Sequence, residues 1–162
     1  MDYGSIWHGR NHDENETTEI KKAKPEDAEI LAGLAIRMWT EHEFVELRDE
    51  FSEILQDEEA ACFIMQADHK PIAFAQCQLR YDYIEGTESS PVGYLEGIFV
   101  SDRHRRKGYA AQLLSQCEKW AKEKGCTEFA SDCELYNTDS LRFHLALGFE
   151  EANRIICFRK DL

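Results

Sequence analysis

The stretch from Val92 to Gly125 constrains the fold more than any other part of the chain. Val92–Val100 (VGYLEGIFV) is apolar at nearly every position, the pattern of a strand buried on both faces. It runs at once into a basic turn, Ser101–Gly108. Next comes a segment with Ala110, Leu113, Leu114, Cys117, Trp120 and Ala121 at helical spacing, closed by Gly125. A buried strand feeding an amphipathic helix through a short turn requires a layered fold that mixes sheet and helix.

The rest of the chain fits around that unit. Thr17–Ala23 reads as a short strand, and Pro25-Glu26-Asp27 opens a helix with proline and acids in the first turn, where the helix dipole favours them. Ile30, Leu31, Leu34 and Met38 continue it at helical spacing, and a second helix covers Glu43–Gln56. Ala60–Ala67 and Pro71–Arg80 read as strands joined by a hairpin turn at Asp68-His69-Lys70. After the polar loop Glu85–Pro91 and the Val92–Val100 unit come a strand at Glu128–Asp132, a helix at Thr138–Leu147 stopped by Gly148, and a final strand at Glu150–Arg159. The expectation is one mixed α/β domain over residues 17–162, preceded by a flexible extension over residues 1–16. His8, His12 and Asp13 in that extension read as a solvated tail rather than a metal site.

Composition narrows the functional classes. A chain of 162 residues with 43% hydrophobic content can build a core without disulfides or metal. The six cysteines form no CxxC pair, and most lie in apolar runs, which fits reduced, buried thiols and disfavours a structural zinc. No apolar run is long enough to span a bilayer, and the polar first residues lack a secretory pattern, so a cytoplasmic location is expected. With 32 acidic against 19 basic residues the net charge is −13. That field repels nucleic acid and anionic membrane and agrees with a cationic small-molecule partner.

Arg105-Arg106-Lys107-Gly108-Tyr109-Ala110 places free backbone N–H groups and basic side chains at a helix start, a geometry that binds phosphate. The Walker pattern is absent, and only one of the three glycines of a dinucleotide fingerprint is present. A basic cap on an ordinary helix is the bland alternative for such a hexapeptide. Its place directly after a buried strand argues for the anion.

A strand of this kind followed by R/Q-x-x-G-x-G/A resembles the acetyl-CoA pyrophosphate loop of the GNAT superfamily of N-acetyltransferases, and the element order extends the likeness over residues 18–160. The resemblance implies an α/β (α+β) GNAT fold. Its mixed central sheet has about six to seven strands and about four helices, and its central strands splay to form the acetyl-CoA cleft. It implies acetyl-CoA as co-substrate and no metal. The backbone of Arg105, Arg106, Lys107, Gly108, Tyr109, Ala110 and Ala111 would meet the pyrophosphate. Ile98, Phe99 and Val100 would pair with the pantetheine arm as an added strand, and Asn137 would contact the cofactor or cap its helix. Glu96-Gly97 would mark a bulge, and a freed amide nearby, that of Ile98, would polarise the thioester carbonyl.

Within the superfamily, Asp82-Tyr83, Ser89–Val100, Ala130-Ser131-Asp132, Asn137-Thr138, Ala146–Glu150 and Trp39-x-x-His42 resemble the aminoglycoside 6'-N-acetyltransferases. That likeness implies transfer of acetyl to the 6'-amine of an aminoglycoside, a homodimer with contacts near the C-terminus, and a substrate site made by Trp39, His42, Tyr83, Glu96, Asp132 and Asn153. Carboxylates and ring faces suit a sugar carrying several ammonium groups. Glu96 is the expected base, with Asp132 beside it. Glu96 inside an apolar strand is costly without a partner, which also points to function. Asp132 has a loop-capping alternative, Trp39 a core one and His42 a surface one.

His144 stands where many superfamily members carry a tyrosine acid, and a packed helix histidine is the competing role. Asn153 stands where the subgroup tends to carry an acid, and residues 1–16 have no counterpart there. A GNAT enzyme for a polyamine, a metabolite amine or a protein N-terminus shares the same loop. So does a silent acyl-CoA-binding module, although that module would not need Glu96 and Asp132.

Overall fold

The computed structural model of the chain describes residues 16–162. Residues 1–15, with most of the expected extension and its His8, His12 and Asp13, lie outside the described residues. Strand β1 (Thr18–Lys22) leads through a short turn at Pro25–Asp27 into helices α1 (Ala28–Ala35) and α2 (Phe44–Ile54). Strands β2 (Ala60–Ala67), β3 (Lys70–Arg80) and β4 (Val92–Val100) follow, then α3 (Tyr109–Glu123), the two-residue β5 (Phe129–Ala130) and α4 (Thr138–Ala146).

The strands form one sheet in the order β1-β2-β3-β4-β5, antiparallel except for the parallel β4–β5 pair. Asp68 and His69 make the two-residue hairpin turn with φ of 47° and 66°, so Ala67 faces Lys70. Paired left-handed residues match the twist of the flanking strands, which is why this short loop suffices.

Alternation along the strands builds two cores. Cys62, Ile64, Phe74 and Phe99 pack under α1 and α2 with Leu31, Leu34, Leu47 and Phe51. Met65, Ala75, Cys77 and Leu95 pack under α3 with Leu113, Leu114, Cys117 and Trp120. Four of the six cysteines, Cys62, Cys77, Cys117 and Cys126, are buried, and burial raises the thiol pKa of both Cys62 and Cys126. Among the described residues no helix is long and apolar enough to cross a membrane.

The strand count differs from the sequence reading. Among the described residues five strands form rather than six or seven, β5 is shorter than Glu128–Asp132, and Glu150–Arg159 adopts no regular structure. A strand needs a neighbour to satisfy its N–H and C=O groups. β5 pairs with β4 only at Gly93↔Phe129 and Tyr94↔Ala130, and among the described residues Glu150–Arg159 pairs with none of the strands.

Asp27 ties β1 to the helical layer. Its carboxylate, in a residue only 5% exposed, accepts from Lys21 Nζ at 2.8 Å and from the Lys24 amide at 2.9 Å. Burial pushes the Asp27 pKa upward, but these donors outweigh it and hold the group below the ordinary 3.8. A depressed carboxylate contributes stability that is fully present above that value and is lost as pH falls through the folded-state pKa. Asp27→Ala should therefore cost about 2 kcal/mol at neutral pH. Urea unfolding should show the gap between variant and wild type shrinking below pH 3.8; a gap independent of pH would remove the ionic explanation.

Candidate active site

The site forms where β4 parts from β5. Beyond Tyr94, β4 keeps its pairing with β3 through Val100 but, among the described residues, has no strand on its other edge. The gap is bridged at its apex by Ser131, whose Oγ donates to the Leu95 carbonyl at 3.3 Å. The backbone edge of Ile98, Phe99 and Val100 is thus open for an extended ligand to pair with.

At the far end of that edge the chain turns through Asp102–His104 into α3. Arg106 and Gly108 adopt φ of 63° and 78°, and Gly108 caps the helix. The first i→i−4 bond that reaches Gly108 is donated by Gln112, at 3.2 Å, so the amides of residues 108–111 precede the helical ladder. A Cβ on Gly108 would meet nothing within 4 Å. The glycine answers a left-handed backbone rather than crowding, and the space in front of the amides is open. Arg105 donates to the Val100 carbonyl at 3.1 Å and pairs with Asp102, while Lys107 lies 3.8 Å from Glu16. Glu16 also meets His104 Nε2 at 3.1 Å, which seats the start of the described chain against this turn.

On the opposite flank stand the carboxylates. The β3–β4 register shifts from Gln76↔Gly97 to Cys77↔Leu95, leaving Glu96 as the extra residue of a bulge, as the Glu96-Gly97 pair suggested. Glu96 is not unpartnered. Arg80, at the end of β3, donates to Glu96 Oε1 from Nε at 3.0 Å and from Nη2 at 2.7 Å, and to Oε2 from Nη2 at 3.0 Å. The cost of a lone buried charge, used above as an argument for function, is removed by this pair. The Arg80 guanidinium carbon lies 3.5 Å from the centre of the Tyr94 ring, and the Tyr94 hydroxyl donates to Asp132. Burial, then the bond to Asp132, pushes the Tyr94 phenol above its ordinary range, so it stays a proton donor.

Trp39 follows α1 and lies against the bulge, its ring stacked near Phe51 and edge-on to Phe74. A Cβ on Gly97 would sit 2.8 Å from Trp39 Cζ2, so the absent side chain is what lets the ring reach β4. Trp39 thus packs at the edge of the core, the alternative that the sequence left open for it, and rests against the bulge. His42 is exposed, its ring 6.4 Å from that of Trp39. Tyr83 lies in the exposed loop before β4. Asn153 donates to Glu85 Oε1 at 2.8 Å, which ties the C-terminal segment to that same loop.

Asn137 caps α4, its Oδ1 accepting from the Ser140 amide at 3.0 Å. His144 uses both ring nitrogens inside the protein. Nδ1 faces the Ser140 carbonyl at 2.7 Å and so carries the proton, and Nε2 meets Ser131 Oγ at 2.8 Å. Its ring is flanked edge-on by Phe143 and Phe149. Among the described residues no group of His, Cys, Asp and Glu is arranged to hold a metal.

Arg80 and Tyr94 are the site residues that sequence reasoning missed. The available signal was weak: Glu96 is the one charged residue in β4, and Arg80 closes the strand before it.

Comparison with known proteins matches residues 28–149 to the acetyltransferase (GNAT) family. The aminoglycoside N(6')-acetyltransferase type 1 of Serratia marcescens is 46% identical over 134 residues, covering 81% of this chain and 92% of that protein. The enzyme of the same name from Acinetobacter haemolyticus is 39% identical over 143 residues, covering 88% and 98%. Among solved structures, aminoglycoside N-acetyltransferase AAC(6')-Iy in complex with CoA superposes with a TM-score of 0.87 at 40% identity, covering 91% of this chain and 97% of that one. The same enzyme with the bisubstrate analogue CoA-S-monomethyl-acetylneamine gives 0.85 at 40% identity, covering 90% and 99%.

The contact between Gly97 and Trp39 can be tested directly. Gly97→Ala must displace the ring, since the added methyl would lie 2.8 Å from Trp39 Cζ2, at a cost of about 1–3 kcal/mol. Near-UV circular dichroism of the tryptophans should change and the thermal midpoint should fall. An unchanged spectrum and midpoint would mean that Trp39 does not rest on the bulge.

Proposed function

The chain belongs to the GNAT acetyltransferase family, and on that footing we propose that it transfers the acetyl group of acetyl-CoA to the 6'-amine of aminoglycosides, which confers resistance to them. One observation carries the reading. The free edge of β4 lies between an anion-ready helix start and a pair of carboxylates, so a phosphate-bearing thioester and a cationic amine can meet at the bulge.

The residues present fit acetyl-CoA. The amides of residues 106–111, with Arg105, Arg106 and Lys107 around them, would hold the pyrophosphate. The open edge at Ile98, Phe99 and Val100 would pair with the pantetheine arm, and Asn137 would lie alongside. Bound there, acetyl-CoA supplies an activated acyl group. The chain's own part is orientation and proton management. An edge amide past the bulge, Ile98 in our reading, donates to the thioester carbonyl.

Glu96 and Asp132 hold ammonium groups, and Glu96 receives the proton of the attacking amine directly or through water. A carboxylate is a weak base for an ammonium, so the site must lower the amine pKa or relay the proton. Trp39, His42, Tyr83 and Asn153 line the acceptor side. His144 is the candidate acid for the leaving thiolate. Its Nδ1 proton is held by a backbone carbonyl, so as an acid it would act as the imidazolium, giving up its Nε2 proton on the side of Ser131 and returning to the neutral ring.

The partner is thus a cationic small molecule rather than nucleic acid or membrane, in keeping with the net charge of −13. The free buried thiols and the use of acetyl-CoA fit the cytoplasm. One globular unit over residues 17–162 serves the whole reaction.

Thiol release with acetyl-CoA should be measured against aminoglycosides with and without a 6'-amine, spermidine and a peptide. Turnover is expected only with 6'-amines. Glu96→Gln should lower kcat/KM by about 100-fold or more. Turnover of spermidine or peptide alone would discard the aminoglycoside assignment, and silence with acetyl-CoA still bound would favour a non-catalytic module.

We also propose a homodimer joined through the C-terminal segment. Ile155, Ile156 and Phe158 are 64%, 78% and 91% exposed, in a segment whose sequence reads as a strand yet has no partner strand among the described residues. A second copy would cover that apolar surface and complete the hydrogen bonding. Sedimentation equilibrium should give a dimer, and Ile156→Asp with Phe158→Asp should give a monomer. A wild type that remains monomeric at tens of micromolar would end this proposal.

A further inference from the structure

We propose that Arg80 is the positioning residue for Glu96, fixing the carboxylate that receives the acceptor amine. The inference rests on the reading of Glu96 given above. It starts from the bulge. As the extra residue of β4, Glu96 has no Cα partner on β3, so its direction is not set by strand pairing. A glutamate in that position has several rotatable bonds and no fixed orientation of its own. Arg80 supplies one: three hydrogen bonds of 2.7 to 3.0 Å reach both carboxylate oxygens and fix the carboxylate plane.

The guanidinium is itself held from below. It stacks on the Tyr94 ring, and Tyr94 is fixed at its other end by its hydroxyl bond to Asp132. Glu96, Arg80, Tyr94 and Asp132 therefore form one connected unit that sets the spacing of both carboxylates. A carboxylate offers about four lone-pair directions. With Arg80 occupying one edge of the group, the remaining directions face away from the guanidinium and are left to an incoming amine. The pair is partly exposed, 34% for the Arg80 side chain and 20% for that of Glu96, so the outer edge is reachable.

A competing possibility has testable consequences. If Arg80 merely fills the place of the acceptor ammonium until substrate arrives, removing it should tighten acceptor binding. If it positions Glu96, removing it should slow the chemical step with little change in binding. Misplacement of a reacting group by about 1 Å can cost as much as 100-fold in rate.

The experiment is steady-state kinetics of Arg80→Gln, Arg80→Lys, Glu96→Gln and the Arg80→Gln/Glu96→Gln double variant. It uses kanamycin, or whichever amine the wild type acetylates if kanamycin is refused, so that a wrong substrate class is distinguished from a wrong role for Arg80. Positioning predicts that Arg80→Gln lowers kcat by about 10- to 100-fold and that the KM for acetyl-CoA stays within about two-fold. It also predicts that the double variant is about as slow as the slower single variant, because both losses act through one carboxylate. Arg80→Lys keeps the charge but loses the planar fork, and should recover only a minor part of the loss. Should Arg80→Gln fail to fold, the lysine variant carries the same comparison. An unchanged kcat, a lowered acceptor KM, full recovery by lysine, or losses that multiply in the double variant would each overturn the assignment.

Discussion

The site depends on the parting of β4 from β5. Two parallel pairs, Gly93↔Phe129 and Tyr94↔Ala130, hold the strands together, and beyond them β4 runs on with one edge bare. An unpaired strand edge exposes a row of backbone donors and acceptors, which is ordinarily a liability. Here it lies between the α3 start and the bulge at Glu96, and in the proposed reaction the same groups would pair with the pantetheine arm. The bulge and the bare edge act on the same strand. One re-aims the carboxylate and the other presents the backbone, and both follow from β4 being braced by β3 alone past Tyr94.

The two cores divide the work. The layer under α3 fixes the turn that carries Arg105–Gly108, since α3 is anchored by Leu113, Leu114, Cys117 and Trp120 against Met65, Ala75, Cys77 and Leu95. The layer under α1 and α2 braces the bulge, because Trp39 is held against Phe51 and Phe74 while its ring edge rests at Gly97. A rigid sheet between the layers keeps the anion-binding end and the carboxylate end in register.

Electrostatics at the site run against the average of the chain. The whole sequence carries −13, yet the two ends of the cleft each hold guanidinium groups. Arg105 and Arg106 stand at the turn, suited to a pyrophosphate. Arg80 stands on the carboxylate flank, where its neighbours are Glu96 and the Tyr94 ring. A field of that sign would favour the approach of the proposed cationic acceptor, while the guanidinium groups carry the opposite charge locally.

Sequence by itself determined the layers and the anion-ready turn, because both rest on local patterns. Apolar periodicity marked β2, β3, β4 and α3. The single-residue chemistry of Gly108 and the run of basic residues before it marked the loop. Glu96 was visible as the one charge in an apolar strand. Its partner was not, since Arg80 lies 16 residues away and meets it only through the strand pairing of the β3–β4 hairpin and its shifted register. Asp132 likewise gained its role as Tyr94's acceptor from the short β4–β5 contact. The last strand failed for a related reason: Glu150–Arg159 has the composition of a strand, but a strand is a property of two partners, and among the described residues this segment pairs with none. Local propensity could be read from the residues in order; pairing, register and the company each charge keeps were decided only when distant segments met.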